Sequence, residues 1–311
     1  MKNIHHINPY LWIPAIAFTI LSCNPQSENE QKRNEQAIIK ETELKVKAVK
    51  IPQELHFAGE PVPIDMFYVR ESLDRELTVN TYWHSSTLLN MKKAGRFFPI
   101  IEPILEKNNI PDDFKYVAVI ESGLSNAISP DGATGFWQFM EGTARDYGLE
   151  INREVDERYN LVKSTEAACE YFQNAYEDYG SWTLAAASFN AGKRGVNRQI
   201  ERQKVDDYYD LLMSEETERY IFRILAVKTI FENPGDYHFD ISADDLYKPI
   251  RIKIVKVDTA VESWADFAFQ FGINYRILKE FNPWLRQAYL KNKSRKSYLI
   301  NIPEREDLLY E

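Results

Sequence analysis

The chain has 311 residues, 44% hydrophobic and 13% aromatic, with a formal net charge of −9. That length suits one medium domain and one small one, and the apolar content is ample for packed cores. The acidic balance, without a dense Lys/Arg patch interleaved with aromatics, argues against a nucleic-acid partner.

At the N-terminus, Lys2, His5 and His6 precede an apolar run from Leu11 to Leu21. The run is about half of the roughly 20 residues that a spanning helix needs, so residues 1–22 read as a signal peptide. It ends in Ile20-Leu21-Ser22-Cys23, which resembles the bacterial lipoprotein signal. Cys23 is then the expected lipidation site and membrane anchor; the alternative is an ordinary secretory signal with an incidental Cys. The second cysteine, Cys169, has no partner left, so no disulfide framework is expected. His56, His84 and His238 are far apart, and no metal site or cofactor is expected. Residues 23–55 are mostly Gln, Glu, Asn, Ser and Lys, a polar tether that buries too little apolar surface to offset its ordering entropy.

Residues 56–245 read as a mainly helical domain. Pro61 to Ser86 is mixed and aromatic-rich. Thr87 to Asn109 is an amphipathic helix that Pro99 can kink or split. Pro111-Asp112-Asp113 opens the next helix, with Pro in its first turn and acids at its positive end. That helix carries Val117-Ala118-Val119-Ile120-Glu121. A polar, Gly-containing loop follows, and Gly135 to Tyr147 is expected to be helical, with Gly148 as its cap. Further helices are expected from Ser164 to Tyr179, from Ser181 to Phe189 and over Glu215–Phe231. From 246 to 311 the pattern changes. Ile250, Ile252 and Ile254 alternate as in a half-buried strand, two short helices follow, and Tyr298–Ile302 is a second strand. The expected fold is therefore mainly α with a small α+β C-terminal domain of strand-helix-helix-strand type.

Glu121 is the candidate acid; the alternative at this point is a surface Glu that caps nothing. Apolar neighbours and the negative end of a helix both disfavour its charged form. A carboxylic acid still protonated near neutral pH is what general acid catalysis on a glycosidic oxygen requires.

Four blocks, in order, carry a family resemblance: Glu121-Ser122; Gly132-Ala133-Thr134-Gly135-Phe136-Trp137-Gln138-Phe139-Met140; Ser188-Phe189-Asn190-Ala191-Gly192; and Glu216-Thr217-Glu218-Arg219-Tyr220-Ile221. Together they resemble the lytic transglycosylases of the lysozyme-like superfamily, of the membrane-bound D type. The resemblance implies cleavage of the MurNAc-GlcNAc bond in the glycan strands of peptidoglycan, leaving 1,6-anhydromuramoyl ends. It implies Glu121 as acid and then base, Gln138 and Asn190 as ligands of sugar and acetamido groups, Ser129 as a positioning group, and Tyr220 as the hydroxyl that orients Glu121. The residues by themselves also allow Gln138 as an exposed polar residue, Asn190 as a helix-ending residue and Tyr220 as core. The loop from Glu121 to Ser129 is one residue shorter than usual in the family, and Phe189 stands where Tyr is usual.

The C-terminal domain resembles a divergent LysM module, on Asp258-Thr259, Asn282-Pro283 and Ile302-Pro303; the alternative is a packing domain that binds nothing. The resemblance further implies a lipid-anchored protein of the cell envelope, at the outer membrane facing the periplasm. Two other functions remain: a lysozyme-type hydrolase, for which Asp131 and Glu141 are nearby acids, and a non-catalytic peptidoglycan-binding lipoprotein. Oligomeric state is not legible.

Overall fold

A computed structural model describes residues 46–309; the expected signal peptide, Cys23 and the tether as far as residue 45 lie outside the described residues. The last part of the expected tether lies against the helical domain. Val49, Ile51 and Leu55 pack on its core, and the Tyr237 hydroxyl donates to the Lys50 carbonyl at 2.8 Å.

Strands β1 (His56–Phe57) and β2 (Glu60–Pro61) form a short antiparallel hairpin. Helices α1 (Phe67–Tyr82) and α2 (His84–Lys107) meet at Trp83. Sequence alone leaves α1 unassigned, but it forms because Val69, Leu73 and Leu77 recur every four residues and are buried. Pro99 does not split α2, which runs through both Pro99 and Pro103. A 3₁₀ turn, Asp112–Phe114, leads into α3 (Lys115–Ser122). This helix buries Tyr116 to Val119 and ends at Gly123, whose φ of +57° is a left-handed cap.

The expected helix from Gly135 to Tyr147 is mostly a turn, and only α4 (Glu141–Asp146) is helical. The reason is backbone geometry. Gly135 and Gln138 have φ of +84° and +50°, and Thr134 and Phe139 exchange backbone hydrogen bonds of 3.1 and 3.2 Å. A Cβ at Gly135 would also lie 2.0 Å from the Arg158 carbonyl oxygen. Only glycine combines that φ with that approach.

Helix α5 (Leu161–Tyr179) is capped by Asn160, whose side chain accepts from the Lys163 amide. The expected cap Ser164 lies in its first turn and donates back to the Leu161 carbonyl. Helix α6 (Trp182–Ala191) begins at Ser181 as expected, and Glu60 accepts from the amides of Trp182 and Thr183 at 2.6 and 2.9 Å. That carboxylate at the helix N-terminus ties the β1–β2 hairpin to α6. Helix α7 (Lys193–Gln203) buries Val196 and packs Ile200 beside it, and the rest is polar or glycine. Helix α8 (Glu215–Glu232) closes the domain. It packs along α1 and against α3 and α6, while α5 packs on α2 and α6.

The C-terminal elements are β3 (Ile252–Val257), α9 (Trp264–Gln270), α10 (Tyr275–Phe281) and β4 (Tyr298–Pro303), with the two strands antiparallel. The fold is thus mainly α with a strand-helix-helix-strand module. The inward face of β3 is the opposite of the expected one. Ile252 and Ile254 are 43% and 56% exposed, while Val257 is buried. The register explains this: Val255 and Val257 lie opposite Ile300 and Tyr298 of β4, which face the core.

The module shares its core with the helical domain through Val155 and Tyr159. The Asp156 amide donates to the Trp284 carbonyl at 2.9 Å and the Arg286 amide to the Glu154 carbonyl at 2.8 Å. Within this joint, Arg158 forks onto Asp156 at 3.0 and 2.8 Å and donates to the carbonyls of Gly132 and Phe139 at 3.1 and 3.3 Å. Arg158→Met leaves the buried Asp156 carboxylate unpaired and is expected to destabilise the fold by about 3–5 kcal/mol. The measurement is the midpoint of urea unfolding; an unchanged midpoint would refute the bracing role.

Candidate active site

Helix α3 presents Glu121 at its last turn, with the preceding apolar residues buried beneath it. The residue as a whole is half-buried, and it lines a cavity of about 610 Å³ between α1, α2, α3 and α8. The Tyr220 hydroxyl, on α8 and almost wholly buried, donates to Glu121 Oε1 at 2.6 Å. Burial pushes the Glu121 carboxyl up to about 7; the Tyr220 hydrogen bond opposes this, the Glu216 charge adds to it, and the Arg223 charge opposes it. Burial, with the Glu121 carboxylate beside it, holds the Tyr220 phenol far above its ordinary range, so it remains a donor.

The turn after α3 is held by Ser122, whose hydroxyl donates to the Phe136 carbonyl at 2.9 Å. Gln138 is half-buried in the same turn. Its amide nitrogen donates to the carbonyls of Ala127 and Gly135 at 3.0 and 2.7 Å, which leaves its carbonyl oxygen to accept from a ligand. Ser129 closes a tight loop: its hydroxyl accepts from the Ala133 amide at 3.0 Å. Its own proton stays available for donation. Asn190 lies inside α6 rather than ending it. Its side-chain oxygen accepts from the Thr217 hydroxyl at 3.0 Å, and its nitrogen donates to Glu216 at 3.5 Å. Phe189 packs edge-on to Tyr171 and Phe139, with ring centroids 5.1 and 5.4 Å apart.

Glu121 and Tyr220 are therefore in direct contact. Asn190 reaches α8 one turn away, at Glu216 and Thr217. Gln138 and Ser129 stand in the turn that Ser122 ties to α3. The cavity also brings in residues that sequence reasoning does not single out: Asn80, Trp83, Asn90, Lys93, Glu76 and Arg223. For Arg223 a signal existed. Glu216, Tyr220 and Arg223 are spaced i, i+4, i+7 and so share one face of a helix. The others come from α1 and α2, which no motif marks.

Two family models match in chain order. The transglycosylase SLT domain matches residues 98–212, and the soluble lytic transglycosylase C-terminal LysM-like domain matches residues 253–306. The chain carries an SLT domain followed by a LysM-like domain.

Membrane-bound lytic murein transglycosylase D of Escherichia coli K12 is 28% identical over 228 residues, 71% of this chain and 49% of the relative. The chain thus spans about half the length of that curated relative. A putative tributyltin chloride resistance protein of an Alteromonas species is 28% identical over 125 residues, 40% of this chain and 60% of that protein. The solved 70 kDa soluble lytic transglycosylase of Escherichia coli aligns with a TM-score of 0.39 and 16% identity, covering 72% of this chain and 47% of that one.

Glu121, Ser129, Gln138 and Asn190 fall inside the SLT match, whereas Tyr220 and the cationic residues of the cavity fall outside it. Glu121 thus lies within the SLT match, while Tyr220, Glu216 and Arg223, which shift its carboxyl, lie beyond it on α8.

The raised carboxyl has a stability consequence. Glutamate ionises near 4.5 in an unfolded chain and near 7 here. Between those values the folded state holds the extra proton, so stability falls as pH rises, and a penalty of about 3 kcal/mol stands above 7. Glu121→Gln keeps an acceptor for Tyr220 and removes the charge. It is expected to raise the unfolding free energy by about 1–3 kcal/mol at pH 8 and scarcely at pH 4. Denaturant melts of both proteins at the two pH values check this; equal stability at pH 8 would contradict the buried-acid reading.

Proposed function

We propose that the chain is a lytic transglycosylase that cleaves the β-1,4 bond between N-acetylmuramic acid and N-acetylglucosamine in peptidoglycan. The observation that carries this reading is Glu121: a carboxyl pushed up to about 7, open to a cavity and held by Tyr220, within the SLT match. The names of the relatives and of both domains support it.

In the proposed reaction Glu121 gives its proton to the glycosidic oxygen as the C1–O bond breaks. The resulting carboxylate takes the proton of the muramoyl C6 hydroxyl, whose oxygen bonds to C1. The product is a 1,6-anhydromuramoyl end; one proton is given and one recovered, and no water is consumed. The substrate's 2-acetamido oxygen shields the positive charge at C1, a substrate-assisted route. The Gln138 carbonyl oxygen and the Asn190 amide are assigned to sugar and acetamido groups, the Ser129 hydroxyl to the acetamido group or to its own loop, and Tyr220 to the orientation of Glu121.

A hydrolase would need a second carboxylate to activate water. In the cavity, Glu76 is buried and tied to Arg219 at 2.6 Å, which leaves it unsuited to that task. The remaining reading, a non-catalytic binding protein, leaves the raised acid without a use. We assign the LysM-like module to glycan binding, Cys23 to lipidation, and the protein to the outer membrane facing the periplasm, on the Leu21-Ser22-Cys23 pattern and the relative's description as membrane-bound.

Mass spectrometry of digested peptidoglycan is the test. Products lighter than lysozyme products by one water are expected with the wild type and not with Glu121→Gln. Reducing ends would point to hydrolysis, and no cleavage to a binding protein. Activity is expected to fall as pH rises through about 7, because the acid form is lost. Tyr220→Phe removes the hydrogen bond that pulls the carboxyl down, so that falling limb should move to higher pH. An unmoved limb would separate Tyr220 from Glu121.

A further inference from the structure

The cavity beside Glu121 carries more positive charge than its carboxylates cancel. Arg219 donates to Glu76 at 2.6 Å and forms a true pair with it. Arg223 lies 3.9 Å from the other Glu76 oxygen, beyond hydrogen-bond distance, and its side chain is 36% exposed. Lys93 donates to the Gly123 carbonyl at 2.7 Å, the group that caps α3. Among the described residues, neither Arg223 nor Lys93 has a hydrogen bond to a carboxylate, yet both line the cavity. Burial holds the Lys93 ammonium below its usual range, as expected of a partly desolvated cation without a counter-ion. Glu121, neutral over much of the acidic range, does not offset them.

Peptidoglycan sugars are themselves uncharged. The anionic groups of a muramoyl residue sit on its 3-O-lactyl branch: a free carboxylate where no peptide is attached, or the peptide's own carboxylates where one is. We propose that Lys93 and Arg223 form a carboxylate-binding subsite for the lactyl branch of the muramoyl substrate. The fork of the Arg223 guanidinium suits a carboxylate, and the exposed face of Trp83 and the amides of Asn80 and Asn90 supply an apolar wall and neutral donors around it. The proposal rests on the transglycosylase reading for the substrate but not for the charge of the site.

The test uses the wild-type protein and two pairs of strands at pH 5, where Glu121 is protonated. One pair is peptide-free glycan with its lactyl carboxylates free or capped as methylamides. The other is peptide-bearing glycan before and after amidation of the peptide carboxyls. The charged member of one pair is expected to show a kcat/KM about tenfold or more above its neutral partner, the scale of a hydrogen bond to a charged group. The pair that shows it names the source of the carboxylate. Arg223→Gln should bring that ratio close to one and Arg223→Lys should restore part of it, with melting temperatures confirming that both variants fold. Equal rates within both pairs would overturn the subsite and leave the transglycosylase reading standing. If no strand is cleaved, that reading falls, and the subsite is decided by calorimetry of Glu121→Gln binding to the same strands. Affinity that depends on charge would support it, and equal affinity would overturn it.

Discussion

A carboxyl taken out of water at the end of a buried helix sets the terms for the rest of the site. The cost of ionising Glu121 comes mainly from burial, so its acid strength depends on α3 staying packed between α2 and α8. Helix α8 then trims the value from one face. Glu216 raises it, while Tyr220 and Arg223 lower it, and these three residues are spaced by single helical turns. Tuning and packing are thus done by one element.

The loop that carries Ser129 and Gln138 depends on a second constraint, carried by Arg158. Its guanidinium holds the carbonyls of Gly132 and Phe139 while Asp156 neutralises it. Asp156 is in turn hydrogen-bonded through its backbone to Trp284 of the LysM-like module. The same segment supplies Val155 and Tyr159 to the core of that module. Loop, joint and module are therefore mechanically continuous. The C-terminal module acts as a wall of the helical domain as well as a domain in its own right.

Much of this was legible in the residues, and the exceptions have physical causes. Helices α2 and α5 follow from periodicity, and α3, α6 and α8 from their start and stop signals. Sequence alone leaves α7 unassigned; only Val196 of it is buried. The segment from Gly135 to Met140 is a turn and not the expected helix because a long-range contact, the Arg158 carbonyl against Gly135, decides it and no local propensity reveals such a contact. Strand β3 has apolar residues on both faces, so alternation alone chooses the wrong one and the register with β4 decides. At the site, the contact between Glu121 and Tyr220 was legible because both lie in motifs. Lys93, Asn80 and Trp83 were not, since they come from helices whose polar residues look like ordinary solvated faces.

A single carboxyl near pH 7 suits two opposite tasks. An acid of about 7 gives up its proton readily enough to a leaving oxygen, and its conjugate base is strong enough to take one from a hydroxyl; a carboxyl near 4.5 would do neither well at neutral pH. Under the transglycosylase reading, the site needs no second carboxylate, because the nucleophile is the substrate's own hydroxyl. The cavity is consistent with that economy. Its other acid, Glu76, is paired with Arg219, which leaves Arg223 and Lys93 as cations of the cavity without a hydrogen-bonded carboxylate. A second carboxylate without such a partner in the same cavity would raise the Glu121 carboxyl further still. On the proposed reading, the charges of the cavity suit an anionic branch of the substrate, and among the described residues the cavity holds no second unpaired carboxylate to activate water.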